Sequence, residues 1–360
     1  MPLSFALLPS VLVATALAQG GARPVTPTYE GNCQSPTWSR NGARLAYEVN
    51  DHLRKTIELY VYTPGAGEPR RVRPVSRGSS GLTAGFQART EQVAHEASWG
   101  PSFVDRFVYS ATDSARDQDL YLDGAGALSP SPGADGGAAW SPDGRWIAFT
   151  SARTGQGDLY LLDAHQIDQP PRRLTTIADG SELFPTWSPD GTRLAFVAHS
   201  EQGDGLWLIE ELGQGLSRRL LSLGHTQTRP SFSPDGARLA FYSNHLQPDR
   251  FDLHVLTLGS AEAPVLLAEG VELNHRGPTW TPDGKQIVYV QDHKDAFDPI
   301  WSVNTRDPAD RALLATGTVG NGDLDIALGT DGKAWLAVSA QGKVDDAVRE
   351  FKRIYVMPLP

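Results

Sequence analysis

An aromatic residue followed by Ser-Pro-Asp-Gly recurs along this 360-residue chain, and a recurrence of that kind leaves few folds open. Intact copies are Trp140-Ser141-Pro142-Asp143-Gly144, Trp187-Ser188-Pro189-Asp190-Gly191 and Phe232-Ser233-Pro234-Asp235-Gly236, with a close variant at Trp280-Thr281-Pro282-Asp283-Gly284. Degenerate copies stand at Trp38-Ser39-Arg40-Asn41-Gly42, Trp99-Gly100-Pro101 and Leu328-Gly329-Thr330-Asp331-Gly332. Anchors at 38, 99, 140, 187, 232, 280 and 328 lie 61, 41, 47, 45, 48 and 48 residues apart. A period in the forties with strand-type content is the mark of a propeller array.

Each copy has one grammar. Proline pre-sets φ in the turn, Asp or Asn bonds the backbone beyond it, and Gly accepts a positive φ. An apolar run follows, as in Ile147-Ala148-Phe149 and Leu194-Ala195-Phe196, then a third strand such as Leu159-Tyr160-Leu161-Leu162. A polar fourth segment closes most units, for example Arg172-Arg173-Leu174-Thr175. The pattern predicts an all-β chain: a single β-propeller of four-stranded antiparallel blades over residues 30–360. The count is seven blades, with six as the alternative because the second and seventh units are degenerate. The last unit ends after its third strand, so residues 19–29, through the extended run Pro24–Tyr29, are expected to supply the closing strand and cover an open edge.

Composition bounds the rest. Residues 1–18 read as a secretory signal peptide: an apolar run ending in Ala16-Leu17-Ala18, although without a basic residue at its start. This predicts a periplasmic or secreted monomer with no membrane span after cleavage. A lone cysteine, Cys33, excludes an internal disulfide framework. A net charge of −10 argues against nucleic acid as partner. One basic stretch departs from it, with Arg70, Arg71, Arg73, Arg77 and Arg89 around Gly78–Gly81. It reads either as a solvated loop or as a lip for an acidic partner. A charged run from Lys343 to Arg353 suggests a short helix between the last two strands.

Five residues before the anchors stand Cys33, Ala94, Asp135, Glu182, Gln227, His275 and Asp323, with His95, Asn274 and Arg276 adjacent. In an unbroken register these side chains ring one mouth of the central channel. His95, Asp135, Glu182, Gln227, His275 and Asp323 are therefore the candidate contacts for a ligand or partner, and their carboxylates and imidazoles could hold a divalent cation. The competing reading is that each satisfies backbone groups in its adjoining loop. No G-x-S-x-G, phosphate-cradling loop, HExxH or zinc signature occurs, so no catalytic residue, metal ligand or cofactor is assigned.

The repeats Trp140–Phe149, Trp187–Phe196 and Phe232–Phe241 resemble those of TolB-type propellers, WD40-like units with a Pro-Asp turn. The resemblance implies a propeller that binds a peptidoglycan-associated lipoprotein in a cell-envelope complex. It covers about residues 30–360 at the level of blade grammar. TolB has six blades and an α/β domain before them, which this sequence does not match. Related propellers gate prolyl oligopeptidases or form metal-dependent oligogalacturonate lyases, to which Gln227, His275 and His95 correspond only loosely. The expected function is an exported protein–protein interaction module, with a lyase-like or sugar-binding propeller as the alternative.

Overall fold

The Ser-Pro-Asp-Gly turn forms as its chemistry requires. In the third unit Ser141 N–H donates to the Trp146 carbonyl at 2.8 Å, and Gly144 N–H to the Ser141 carbonyl at 3.0 Å. Asp143 Oδ1 accepts from Ser141 Oγ at 2.5 Å and from Arg145 N–H at 3.1 Å. The same bonds recur around Asp190, Asp235, Asp283 and, in the first unit, Asn41. The turn glycines have φ of 64–75° from Gly42 through Gly144, Gly191, Gly236 and Gly284 to Gly332, which branched residues avoid.

A computed structural model describes residues 21–29, 31–72, 94–112, 118–177, 180–200, 203–212, 216–292, 298–344, 347–348 and 351–359. The expected leader at 1–18, the basic segment 73–93 and residues 345–346 lie outside them. The turns join seven antiparallel sheets, and in six of them each strand neighbours the next in sequence. Blade 1 comprises Asn32–Trp38, Leu45–Asp51, Thr56–Tyr62 and Arg70–Arg71; blade 2, Ala94–Trp99, Phe107–Thr112, Gln118–Leu122 and Gly126–Leu128. Blade 3 comprises Asp135–Trp140, Trp146–Ser151, Asp158–Asp163 and Arg172–Arg173; blade 4, Gly180–Trp187, Leu194–Ser200, Gly205–Glu211 and Leu216–Leu221. Blade 5 has Gln227–Phe232, Arg238–Ser243, Asp252–Thr257 and Val265–Ala268; blade 6, Thr279–Trp280, Gln286–Val290, Ile300–Asn304 and Arg311–Leu313. In blade 7 the inner strand is split into Thr318–Val319 and Leu324–Leu328, both paired with Ala334–Val344, and Arg353–Pro358 follows.

The N-terminal segment closes the ring as the seventh blade's outer strand. Arg23 and Pro24 pair antiparallel with Val356 and Tyr355, and Val25 N–H donates to the Ile354 carbonyl at 2.9 Å. Thr26 Oγ1 accepts from Ile354 N–H at 3.2 Å, and Tyr29 meets Tyr47 through their hydroxyls at 2.7 Å. Only the start of the expected run Pro24–Tyr29 is ladder-paired; Val25 and Thr26 still bond blade 7, and Tyr29 reaches blade 1. The described residues of the stretch expected to be helical, 343–344 and 347–348, are strand rather than helix. The strand runs on to Val344 and turns back, with Lys343 opposite Val348.

The core lies between blades. Ala46, Leu59 and Val61 of blade 1 pack on Trp99, Phe107 and Tyr109 of blade 2, and Val288, Val290 and Ile300 of blade 6 on Leu336, Val338 and Tyr355 of blade 7. At the closing junction Trp38, Leu45 and Tyr47 meet Ala337, Ile354 and Val356. The aromatic anchors latch these junctions. The Nε1–H groups of Trp99, Trp187 and Trp280 donate to the carbonyls of Thr37, Ala139 and Ser231 in the preceding blade, at 3.0, 2.9 and 3.3 Å. An arginine six residues beyond the anchor reaches forward: Arg44, Arg193 and Arg238 lie over Trp99, Phe232 and Trp280, with centroid distances of 4.8, 5.6 and 5.0 Å. The repeat therefore encodes the blade and its contact with both neighbours.

Candidate functional site

The inner strands of five blades break register at the same point. Pairing skips between Gln34 and Thr37, His95 and Ser98, Gly136 and Ala139, Leu183 and Thr186, and Thr228 and Ser231. One extra residue is accommodated each time, which is a β-bulge. The residue three before the anchor takes positive φ: Ser35 48°, Glu96 57°, Gly137 59°, Phe184 56° and Arg229 52°. Gly277 holds the equivalent place in blade 6, at 88°.

Three of the bulge N–H groups are bound by a carboxylate from the preceding blade. Glu48 Oε1 accepts from Glu96 N–H at 2.9 Å, and Glu96 Oε2 from Gly137 N–H at 2.9 Å. Across the closing junction, Asp323 Oδ2 accepts from Ser35 N–H at 3.1 Å. This network helps to hold the strained conformations in place.

The bulges line a cavity of about 200 Å³ in the central channel, bounded by residues of blades 1 to 6. Its polar groups include Ser35, Arg40, Glu48, Glu96, Arg229, His275 and Arg276, and Trp140, Phe184, Pro185, Trp187 and Pro230 form apolar wall. Arg229 lies over the Phe184 ring, 5.0 Å from its centroid, and donates to the His275 carbonyl. Arg276 donates to the Ala97 carbonyl. Blades 6 and 2 are separated by blades 7 and 1, so this bond spans the channel. A tight turn, closed by Gly277 N–H on the Asn274 carbonyl at 2.9 Å, replaces the first half of the blade 6 inner strand and thrusts His275 and Arg276 inward.

His275 Nδ1 is 2.7 Å from Asp323 Oδ1, which also accepts the His275 backbone N–H at 2.9 Å. That side-chain bond raises the imidazole pKa. Burial pushes the Asp323 carboxyl upward, but its bonds to His275 and Ser35 outweigh this and hold it below the usual range. Burial lowers the Arg229 guanidinium despite the nearby Asp323 charge. Asp325 is raised by burial; it accepts Trp38 N–H at 2.7 Å and faces the charges of Arg276 and Arg40.

The predicted column divides. His275 lines the cavity, and Asp323 stands directly behind it. Cys33, Asp135, Glu182 and Gln227 are fully buried and do not line the cavity. Asp135 pairs with Arg153 at 2.9 Å, Glu182 Oε1 accepts from Ile177 N–H at 3.2 Å, and Gln227 bonds the backbone of Leu223 and His225 at 3.2 and 2.7 Å. Burial, then the charge of Asp158, raises Glu182 to about 7. His95 pairs with Ser110 in the second blade's ladder. The expectation of an unbroken register fails because the bulge flips the parity of every residue before it. Position −5 is therefore buried away from the cavity, while position −3 lines it in blades 1 to 5, with the anchors Trp140 and Trp187 in its wall. The signal that could have found Arg40 is its place in the motif, where intact copies have proline.

Among the described residues, the one cluster of three or more potential metal ligands is Glu272, Asp292 and Asp298, outside the predicted column. Ser35 Oγ is buried without a hydrogen-bond partner, so the nearby Asp323–His275 pair does not activate it. Arg70 and Arg71, from the predicted basic lip, are paired with Asp123 and Glu58 at 2.7 and 2.6 Å.

Seven radially arranged four-stranded sheets, closed by an N-terminal strand and surrounding a lined channel, define a seven-bladed β-propeller. Its repeat is of TolB type: residues 164–322 match the family model described as the TolB beta propeller domain. No curated protein matches the sequence. TolB from Acinetobacter baumannii is similar in structure, with a TM-score of 0.51 at 18% identity, over 75% of this chain and 63% of that one. The Cps50 (Swd1) propeller domain of Myceliophteria thermophila superposes with a TM-score of 0.57 at 14% identity, over 93% and 99%. A puromycin-hydrolyzing peptidase of Mycobacterium tuberculosis gives 0.57 at 15% identity, over 92% of this chain and 55% of that one. At these identities the likenesses establish the fold.

Proposed function

We propose that the protein is an exported, periplasmic interaction module: a monomeric ring that docks an envelope protein through its channel cavity. The TolB-type repeat supports this reading, and the partner class it suggests is a lipoprotein or peptidoglycan-associated protein. One observation carries it. Ser35, Glu96, Phe184 and Arg229 occupy a left-handed conformation that costs about 1–2 kcal/mol per non-glycine residue. Gly137 occupies the equivalent place without a side chain, so the bulge itself does not need one. Strain retained in four blades, with all four side chains on one cavity, is the signature of a site held for recognition.

The reading is non-enzymatic. Ser35 Oγ makes no hydrogen bond to a base, and His275 Nδ1 is committed to Asp323. A rigid disc also offers the roughly 800 Å² per partner of an ordinary protein interface without rearrangement. The test is affinity capture from an envelope extract by the wild-type ring and by Phe184→Gly. That variant relieves backbone strain while removing a channel side chain. One stoichiometric protein captured by the wild type and lost with Phe184→Gly is expected. No such protein, or equal capture by both rings, overturns the proposal.

A further inference from the structure

The cavity has hydrogen-bond donors to spare, and its acceptors are already engaged. Arg40 lines the cavity with its side chain open to solvent, and it donates no hydrogen bond and forms no ion pair with any described residue. Partial desolvation, followed by the charge of Arg276, pulls its guanidinium below the usual range, and Asp325 offsets this only in part. Arg276 uses one nitrogen on the Ala97 carbonyl and keeps further N–H groups. Meanwhile Glu48 and Glu96 bind bulge N–H groups, Asp323 binds Ser35 and His275, and Asp325 binds the N–H groups of Trp38 and Ile326.

Arg40 is also the residue that departs from the repeat. In intact copies this position is proline, and it abuts the next blade's turn glycine. A Cβ on Gly191, Gly236 or Gly284 would lie 3.5, 3.4 or 3.3 Å from Pro142, Pro189 or Pro234. Blade 2 has no such glycine, since its turn is Trp99-Gly100-Pro101-Ser102-Phe103. Blade 1 thus exchanges a packing proline for a cation that faces the channel.

Two guanidiniums that line one cavity and reach solvent repel each other, an anion between them relieves that repulsion, and their forked donors match a carboxylate's two oxygens. We infer that Arg40 and Arg276 seat a carboxylate carried by the partner polypeptide, with Trp140, Trp187, Pro185 and Pro230 covering its aliphatic part. This rests on the interaction reading. About 200 Å³ accommodates an acidic side chain but not a folded segment.

The probes are a blocked Gly-Asp-Gly peptide, its Asn counterpart and free malonate, each titrated calorimetrically into the whole protein. The variant is Arg40→Pro, which restores the repeat's own turn residue. The Arg40 N–H is absent from the turn's backbone bonds, so proline fits. Expected results are binding of the Asp peptide, competition by malonate, and affinity about tenfold or more weaker for the Asn peptide and for Arg40→Pro. Thermal unfolding of Arg40→Pro near the wild-type midpoint confirms that the loss is local. Asp-peptide affinity unchanged in Arg40→Pro, or no binding to either ring, overturns the seat. Malonate binding without Asp-peptide binding overturns the polypeptide source and leaves an anion seat for a free small acid. Equal capture of an envelope partner by wild type and Arg40→Pro also overturns the seat, while leaving the interaction reading intact.

Discussion

Ser35→Gly should stabilise the ring, against the usual direction of core substitutions. Ser35 has φ of 48°, a conformation that costs an L-residue about 1–2 kcal/mol and glycine almost nothing. Its hydroxyl is buried and unpaired, a further cost of about 1–3 kcal/mol. Glycine's larger unfolded-state entropy returns about 0.5–1 kcal/mol. The bond from Ser35 N–H to Asp323 survives, because it is a backbone bond. The balance favours the variant by about 1–4.5 kcal/mol. With an unfolding entropy of about 2.1 cal/mol/K per residue over 360 residues, the midpoint rises by roughly 1.5–6 °C. Scanning calorimetry measures it, and Ser35→Ala separates the terms, since alanine removes the hydroxyl but keeps the strain. If Ser35→Gly melts below wild type, or Ser35→Ala gains as much as glycine, the strain argument is wrong. The case for a built recognition site at the bulges then fails with it.

Other expectations follow from named contacts. Gly191→Val forces a branched residue to φ of 72° and should cost about 1–3 kcal/mol, with Asp190→Ala costing less; urea unfolding ranks the two. Glu182, raised to about 7 by burial and then by Asp158, keeps its proton in the fold where the unfolded chain loses it near 4.5. The raised carboxyl contributes stability that is full below about 4.5 and is lost as pH climbs through about 7. The slope approaches ~1.4 kcal/mol per pH unit within that window, and Glu182→Gln should flatten it in pH-dependent denaturation. Cys33 is fully buried, and burial raises its thiol to about 11, so a thiol reagent at pH 8 should react only upon unfolding; rapid labelling of the native ring would contradict the closing junction.

Local chemistry made much of the fold legible. The Pro-Asp-Gly turn, the strand alternation and a period in the forties each depend on residues a few positions apart, so they survive as sequence pattern. Ring closure was legible for a similar reason: the last unit lacks a strand, and an extended N-terminal run is available to fill it. His275 and Asp323 were legible as polar residues near strand starts, but their pairing across blades 6 and 7 was not.

What the sequence settled by itself was therefore the blade and its turn, because those arise from neighbours along the chain, whereas the closed ring decided for seven blades over six. Tertiary structure alone decided which side chains meet the channel. A bulge adds one residue without any residue type that announces it: Ser35, Glu96, Gly137, Phe184 and Arg229 share a conformation and nothing else. Because side chains alternate along a strand, that one residue turned Asp135, Glu182 and Gln227 away from the cavity into buried bonds with Arg153, Ile177, Leu223 and His225. It also brought Phe184 and Arg229 to the cavity, beside an arginine from a turn that had lost its proline.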